Sequence, residues 1–442
     1  MIAPTGTAVA EEAVVDRLLA AITEDRLRAA ARAVTGIPSP TGREAPLARF
    51  LADRLAAAGF GATAQHIDEF QANAVGRLRG SGRGEDLMLY APIDTLTTGE
   101  EAIDVPWIGE RLRPDMLPVA RDEGPFVSGL GASNPKGHAA CILVLAEALG
   151  EVRPELAGDV VVAFGAGGMP TNAVDAPGYP QRANTGQGVG CSFLLERGWY
   201  TDHAVIAKPG DLVAHEEVGL AWFEVTVPGV HTYVGSRHRL PYRNPIVTAA
   251  EVVTRLERWL ADYPLRHRTA TAAPQGVIGS IAGGWERMLA VTPALCRLRL
   301  DIRIAPGTTP LQVKRELAGF VEELGRDLDV DLGVEMVLAV PATHTSPDAP
   351  IVRRTVAAWE RTTGRSHEPV PDLSGATDAN ILRARGIPTA RVGMPKVSSQ
   401  ELDVDPAVDF SRGMNTVDVR AMRRLCEVLA RTTIATTTRK DS

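Results

Sequence analysis

Cysteine is scarce in this 442-residue sequence: Cys141, Cys191, Cys296 and Cys426 stand far apart, with no CxxC pair among them. The spacing excludes a zinc ribbon, a redox dithiol and a disulfide-stapled secreted fold, and predicts four buried free thiols. Basic charge is not in excess. The 47 Lys and Arg face 54 Asp and Glu for a net charge of −7, so the footprint of a nucleic-acid-binding protein is missing. No stretch approaches the roughly 18 consecutive apolar residues of a membrane span. The N-terminal MIAPTGTAVAEEAVV has neither the basic start nor the apolar core of a signal peptide, which predicts a cytoplasmic protein with no membrane partner. There is also no P-loop, dinucleotide-binding glycine fingerprint or G-x-S-x-G elbow, so neither a nucleotide cofactor nor a serine nucleophile is expected.

What the chain does have is the composition of an ordinary globular protein, 45% hydrophobic and 23% charged, with length for two or three structural units. Thr41-Gly-Arg-Glu44 has the spacing of a capping box, and Leu47, Phe50, Leu51 and Leu55 recur behind it at helical intervals until Gly59. Short runs apolar on both faces alternate with helical segments: LMLYA before Asp94, DVVVAF before Gly165, HAVIA before Lys208 and TARVG before Met394. That pattern predicts an α/β fold, a mostly parallel sheet flanked by helices, with chemistry in the crevice past the carboxyl ends of the strands. From 215 to 340 the order becomes β-α-β-β-α-β, that of a ferredoxin-like domain inserted between a first part at 1–214 and a second at 341–442. Gly165 to Gly188 is too rich in Gly, Pro and Asn for regular structure and reads as a long loop at a strand's carboxyl end.

Five stretches in order, IPSPTGRE, LMLYAPIDT, GLGASNPKGHAA, LDIRIAPG and SGATDANILRARGIPTARVG, carry a resemblance over nearly the whole chain. They resemble the family of dinuclear zinc amidohydrolases and exopeptidases that contains acetylornithine deacetylase, succinyl-diaminopimelate desuccinylase, aminoacylase and glutamate carboxypeptidase. The resemblance implies a homodimer formed through the inserted domain and a small-molecule substrate, expected to be carboxylated. It also implies two zinc ions held by histidines and carboxylates, with a glutamate as general base on a bridging water. This chain departs from that ligand set nearly everywhere. Pro92 stands where the family has the His of H-x-D, although Asp94 keeps the Asp. Asn134 replaces the bridging aspartate, the adjacent glutamate pair falls near Asn184 and Thr185, Lys208 takes a carboxylate ligand's place, and the last His falls near Ser411. No metal is expected on that reading. Losing the ions together with their carboxylates avoids an unpaired charge, and the ammonium of Lys208 is expected to pair with Asp94 at the crevice floor. The resemblance further implies a cis peptide after residue 134, where Pro135 makes such a bond inexpensive.

Among the remaining candidates, His138 opens a predicted helix beside the crevice, either as a general acid or base or as a helix-terminal His bonded to backbone. Lys136 matches a lysine of the family motif that is mostly structural. In VPGVHTYVGSRHRLPYRNP the resemblance implies a His that donates to a developing oxyanion; His231 is the choice, His238 its rival, and Asn244 the accompanying polar residue. Arg237, Arg239 and Arg243 either grip a substrate carboxylate or form a solvated loop. Arg303 alternates with apolar residues on a strand. Ser374, Thr377 and Asp378 match a family loop that lines the substrate pocket, with a helix N-cap as the competing role for Thr377 or Asp378.

The leading expectation is a metal-independent enzyme acting on a small carboxylated amide or related C–N compound, with Asp94, His138, Lys208 and His231 as acid–base and oxyanion groups. Asn134, Arg237, His238, Asn244, Arg303, Ser374, Thr377 and Asp378 would surround the substrate. One alternative is a catalytically inactive binding or regulatory homologue, and another is a zinc hydrolase that uses His138, Asp94 and Asp378 as ligands. Turnover separates the first two, and bound metal identifies the third.

Overall fold

The computed structural model describes residues 6–176 and 182–438, so part of the expected loop between Gly165 and Gly188 lies outside the described residues. The four apolar runs form the centre of a seven-stranded sheet. Val160–Gly165 pairs in parallel with Leu87–Pro92, Leu87–Pro92 with His203–Ala207, and His203–Ala207 with Thr389–Val392. Ala72–Leu78 and Gly61–His66 extend one side antiparallel, and the short Val213–Ala214 closes the other. Every residue of the four parallel strands is buried, because alternate side chains enter two different cores. Leu87, Leu89, Val162 and Val205 pack with the helices Ala45–Ala57, Lys136–Val152 and Val419–Thr437. Met88, Tyr90, Val161 and Ile206 pack on the opposite face with Cys191 and Leu194 of Val189–Glu196 and Leu382 of Ala379–Ala384.

The chain divides into two units: a larger one of residues 1–215, 345–368 and 377–442, and a smaller one of residues 216–344 and 369–376. In the smaller unit the strands Gly219–Pro228, Gly276–Gly283, Leu295–Ile304 and Gly333–Val340 make a fully antiparallel sheet, with Gly276–Gly283 at one edge and Gly333–Val340 at the other. Helices Pro245–His267 and Pro310–Asp327 complete the β-α-β-β-α-β order and bury Val252, Leu256, Val313 and Leu317 against Phe223, Val225, Leu298 and Leu300. Residues 369–376 join this unit through backbone pairing, with Ala273 N donating to Leu373 O at 3.1 Å. Ser374 therefore sits apart in the chain's division from Thr377 and Asp378, three and four residues on.

All four cysteines are free and buried. The Asn134–Pro135 bond is cis, as is Val105–Pro106. Among the described residues no helix is long and apolar enough to cross a membrane.

Candidate active site

Asp94 lies two residues past the carboxyl end of Leu87–Pro92 and is fully buried. Three donors converge on it. Thr41 Oγ1 donates to Oδ2 at 2.6 Å, Met169 N to Oδ2 at 3.1 Å and Gly168 N to Oδ1 at 2.8 Å. Position 168 admits only glycine, since a Cβ there would overlap Pro92 and come within 2.8 Å of Asp378 Oδ2. Pro92, Asp94 and Asp378 thus enclose one turn of backbone.

Thr41 and Glu44 do not form the expected capping box. The helix Ala45–Ala57 starts with Pro46 in its first turn and without a side-chain cap, while both residues turn inward. Glu44 is fully buried, and its Oε1 accepts from Gly42 N at 2.9 Å, Gly167 N at 2.9 Å and Gln71 Nε2 at 3.2 Å. Its Oε2 is buried without a hydrogen-bond partner. Burial, and then the nearby Asp94 charge, push the Glu44 carboxyl up to about 8, so it holds a proton at neutral pH. Asp94 is raised by burial as well, against the opposing effects of the Thr41 hydroxyl and the charge of Lys208. With three donors and a cation acting on Asp94, the proton of this carboxyl pair belongs on Glu44.

Lys208 follows His203–Ala207 and is 6% exposed, with Nζ 3.8 Å from Met169 Sδ. Its charge favours ionised Asp94, which makes the two an electrostatically linked pair. Across the sheet, Tyr90 OH donates to Asp378 Oδ2 at 2.6 Å. Burial and the adjacent Asp378 hold the phenol well above its usual range, so it remains a donor. Thr377 takes the capping role, its Oγ1 accepting from Ala379 N at 3.2 Å, while Asp378 makes no cap bond.

His138 is corrected as an acid–base group. Its Nδ1 donates to Ser133 O at 2.9 Å and its Nε2 accepts from Met394 N at 3.4 Å, so backbone engages both nitrogens. Burial, with the charges of Lys208 and Arg391, depresses its pKa to about 3, which keeps it neutral. Lys136 is also structural: fully buried, it donates to Ile37 O at 2.7 Å, and burial pulls its pKa down to about 7. Asn134 Nδ2 lies 3.2 Å from Met414 Sδ, and its Oδ1 is buried without a partner. Near the other expected ligand positions, Thr185 Oγ1 accepts from Ala173 N at 2.6 Å and Ser411 Oγ accepts from Arg113 Nη2 at 2.7 Å. Among the described residues there is no group of three or more His, Cys, Asp or Glu side chains that could hold a metal ion.

The smaller unit carries the other candidates. His231 is exposed, with Nδ1 donating to Thr292 O at 2.7 Å, and His238 is exposed nearby in the same loop. Arg237 is exposed and stacks over Tyr242 with its guanidinium 4.4 Å from the ring centroid. Arg243 pairs with Asp329 at 3.3 Å. Asn244 caps Pro245–His267 by accepting from Ile246 N at 3.0 Å. Arg303 pairs with Asp301 at 2.9 Å, and Ser374 Oγ accepts from Gln275 N at 3.3 Å. Asn244, Arg303 and Ser374 thus each have a local partner within the smaller unit.

Sequence reasoning passed over Glu44, Tyr90 and Arg391. Each had a signal: a capping-box acid, a hydroxyl inside an otherwise apolar buried strand, and an arginine inside TARVG that is only 7% exposed.

Comparison with known proteins agrees with this architecture. Residues 215–329 match the peptidase dimerisation domain. The chain is 23% identical over 392 residues to N-formyl-4-amino-5-aminomethyl-2-methylpyrimidine deformylase of Bacillus subtilis, covering 80% of this chain and 83% of that protein. It is 23% identical over 376 residues to succinyl-diaminopimelate desuccinylase of Stutzerimonas stutzeri, covering 83% and 88%. A dinuclear metal-binding peptidase of Bacillus subtilis superposes with a TM-score of 0.60 at 14% identity, over 93% of this chain and 97% of that one. The inserted unit thus carries the peptidase dimerisation domain, and the chain as a whole is similar to the amidohydrolases and exopeptidases that include succinyl-diaminopimelate desuccinylase.

Proposed function

We propose that the protein is a cytoplasmic, homodimeric hydrolase that cleaves a C–N bond in a small carboxylated amide without a dinuclear metal centre. The observation that carries this reading is Lys208, a buried cation electrostatically linked to Asp94 where the family resemblance implies a metal-binding carboxylate. In the proposed reaction the ammonium binds the amide carbonyl oxygen and offsets its developing charge. Asp378, oriented by Tyr90, takes a proton from the attacking water. The water oxygen bonds to the carbonyl carbon, the C–N bond breaks, and that proton leaves on the amine. Relatives named as a deformylase and a desuccinylase support an acyl-amide substrate. Dimerisation through the inserted unit is supported by its exposed apolar surface: Val277 and Ile281 on the edge strand and Val247 on helix Pro245–His267 are each more than half exposed.

A binding homologue is the second reading. It is favoured by how closed the polar groups are, with Glu44, Asp94, Asp378 and Lys208 all 6% exposed or less. Amine release from N-formyl, N-acetyl and N-succinyl amino acids, with chelator and with added zinc, tests both. Turnover that survives the chelator and is lost in Lys208→Met is the expected result. Turnover only with zinc overturns metal independence, and ligand binding without turnover replaces the hydrolase with the binding homologue.

A further inference from the structure

A pocket of about 380 Å³ opens in the larger unit beside Asn134 and Thr95, the residue after Asp94. Its size suits a one- or two-ring ligand. Most of its wall is apolar, formed by Leu96, Ile108, Met116, Leu130 and Met414. Two aromatic side chains on the wall stay in water: Trp107 is 85% exposed and Phe410 is 63% exposed. Phe410 already carries Lys396 Nζ 5.3 Å from its ring centroid, which fixes that ring through a cation–π contact. Exposed rings beside methionine thioethers form a surface that favours another flat ring, through offset stacking and sulfur–aromatic contact.

The polar groups of the wall narrow the ligand further, because nearly all are already engaged. Thr95 Oγ1 donates to Thr97 O at 2.8 Å. Ser411 Oγ accepts from Arg113 and donates to Val408 O at 3.1 Å. Asn415 Oδ1 accepts from Gly131 N at 2.8 Å while its Nδ2 donates to Asp115 at 3.3 Å. Asp115 is in turn held by Arg113 at 3.0 Å and Arg412 at 3.3 Å, which stiffens this side of the pocket. Asn134 differs. Its Nδ2 faces the Met414 thioether and its backbone N–H donates to Met414 O at 3.0 Å, which orients the amide and leaves Oδ1 buried with no donor. A buried acceptor in that state gains most from a ligand that supplies a donor.

We propose that this pocket binds an aromatic or heteroaromatic ring bearing an N–H donor, with the ring packed on Trp107 and Phe410 and the donor given to Asn134 Oδ1. The proposal deepens the hydrolase reading by naming the ring-bearing part of the substrate, and it rests on that reading only for the claim that the occupant is a substrate.

Calorimetric titration of the full-length protein with benzamide, N,N-dimethylbenzamide and cyclohexanecarboxamide tests it. The three probes separate the N–H donor from the aromatic ring. Benzamide is expected to bind at least about tenfold more tightly than either of the others, and to weaken by at least about tenfold in Trp107→Ala and in Phe410→Ala. Both altered side chains are largely exposed, so these variants should fold. Asn134→Leu should remove the preference for benzamide over its dimethyl form. No saturable benzamide binding, equal binding of the cyclohexyl amide, or binding unchanged in Trp107→Ala overturns the proposal. Because the heat of binding is read without turnover, failure here leaves the hydrolase reading standing, and loss of all turnover leaves this one standing.

Discussion

Replacing Glu44 with Gln should change how stability depends on pH, and the sign follows from where the proton sits. The carboxyl titrates near 4.5 when unfolded and near 8 in the folded protein. Between those values the folded state holds a proton that the unfolded state has lost, so stability falls as pH rises through this window. At 1.36 kcal/mol per unit, the full window corresponds to about 5 kcal/mol, all of it present below pH 4.5 and lost by about pH 8. Gln preserves the shape and the acceptor for Gly42, Gly167 and Gln71, carries no titrating proton, and places an amide N–H at the unpartnered Oε2 position. Urea denaturation at half-unit steps from pH 5 to pH 9 gives the comparison. Lys136, depressed to about 7, contributes the opposite trend, since its stabilisation is regained as pH rises from 7 toward 10.5. The difference between variant and wild type cancels that trend and isolates Glu44. The variant should gain relative stability steadily between pH 5 and pH 8 and then level off. A difference that stays flat across the window, or one that reverses sign, would refute a protonated Glu44.

Two other outcomes are expected. Lys208→Met should destabilise the fold by about 3–5 kcal/mol by leaving Asp94 without its compensating cation, whereas Lys208→Met with Asp94→Asn should recover a large part of that loss; additive single effects in the same denaturation assay would break the link between them. Ile281→Lys on the exposed edge strand should convert dimer to monomer in sedimentation at micromolar protein while leaving the circular dichroism unchanged, and an unaltered dimer would place the interface elsewhere.

The parallel sheet was legible because a strand covered on both faces is apolar at most positions, and LMLYA, DVVVAF and HAVIA come close to that pattern, whereas TARVG departs from it at Thr389 and Arg391. The inserted unit was legible for a related reason: FEVTV and LCRLRLDIRI alternate in burial as strands covered on one face must. The site was less legible because its residues find their partners far along the chain. Thr41 and Glu44 carry the spacing of a capping box, and nothing local announces that Asp94, 53 residues after Thr41, captures the Thr41 hydroxyl. His138 had two open roles, and the choice depended on Ser133 O and on Met394 N, which lies two residues past the strand Thr389–Val392 and 256 positions along the chain.

These distant partners also join the groups into one electrostatic unit, which decides how substitutions should be read. Glu44 keeps its proton partly because Asp94 is charged, and Asp94 stays charged partly because Lys208 is a cation. Removing the cation therefore raises Asp94, weakens its repulsion of a Glu44 carboxylate, and lets the pair share a proton more evenly. In a Lys208→Met background, the stability gained by Glu44→Gln between pH 5 and pH 8 should then be smaller than in the wild type. Equal gains in the two backgrounds would mean that Glu44 is held protonated by burial alone and that the three residues act independently.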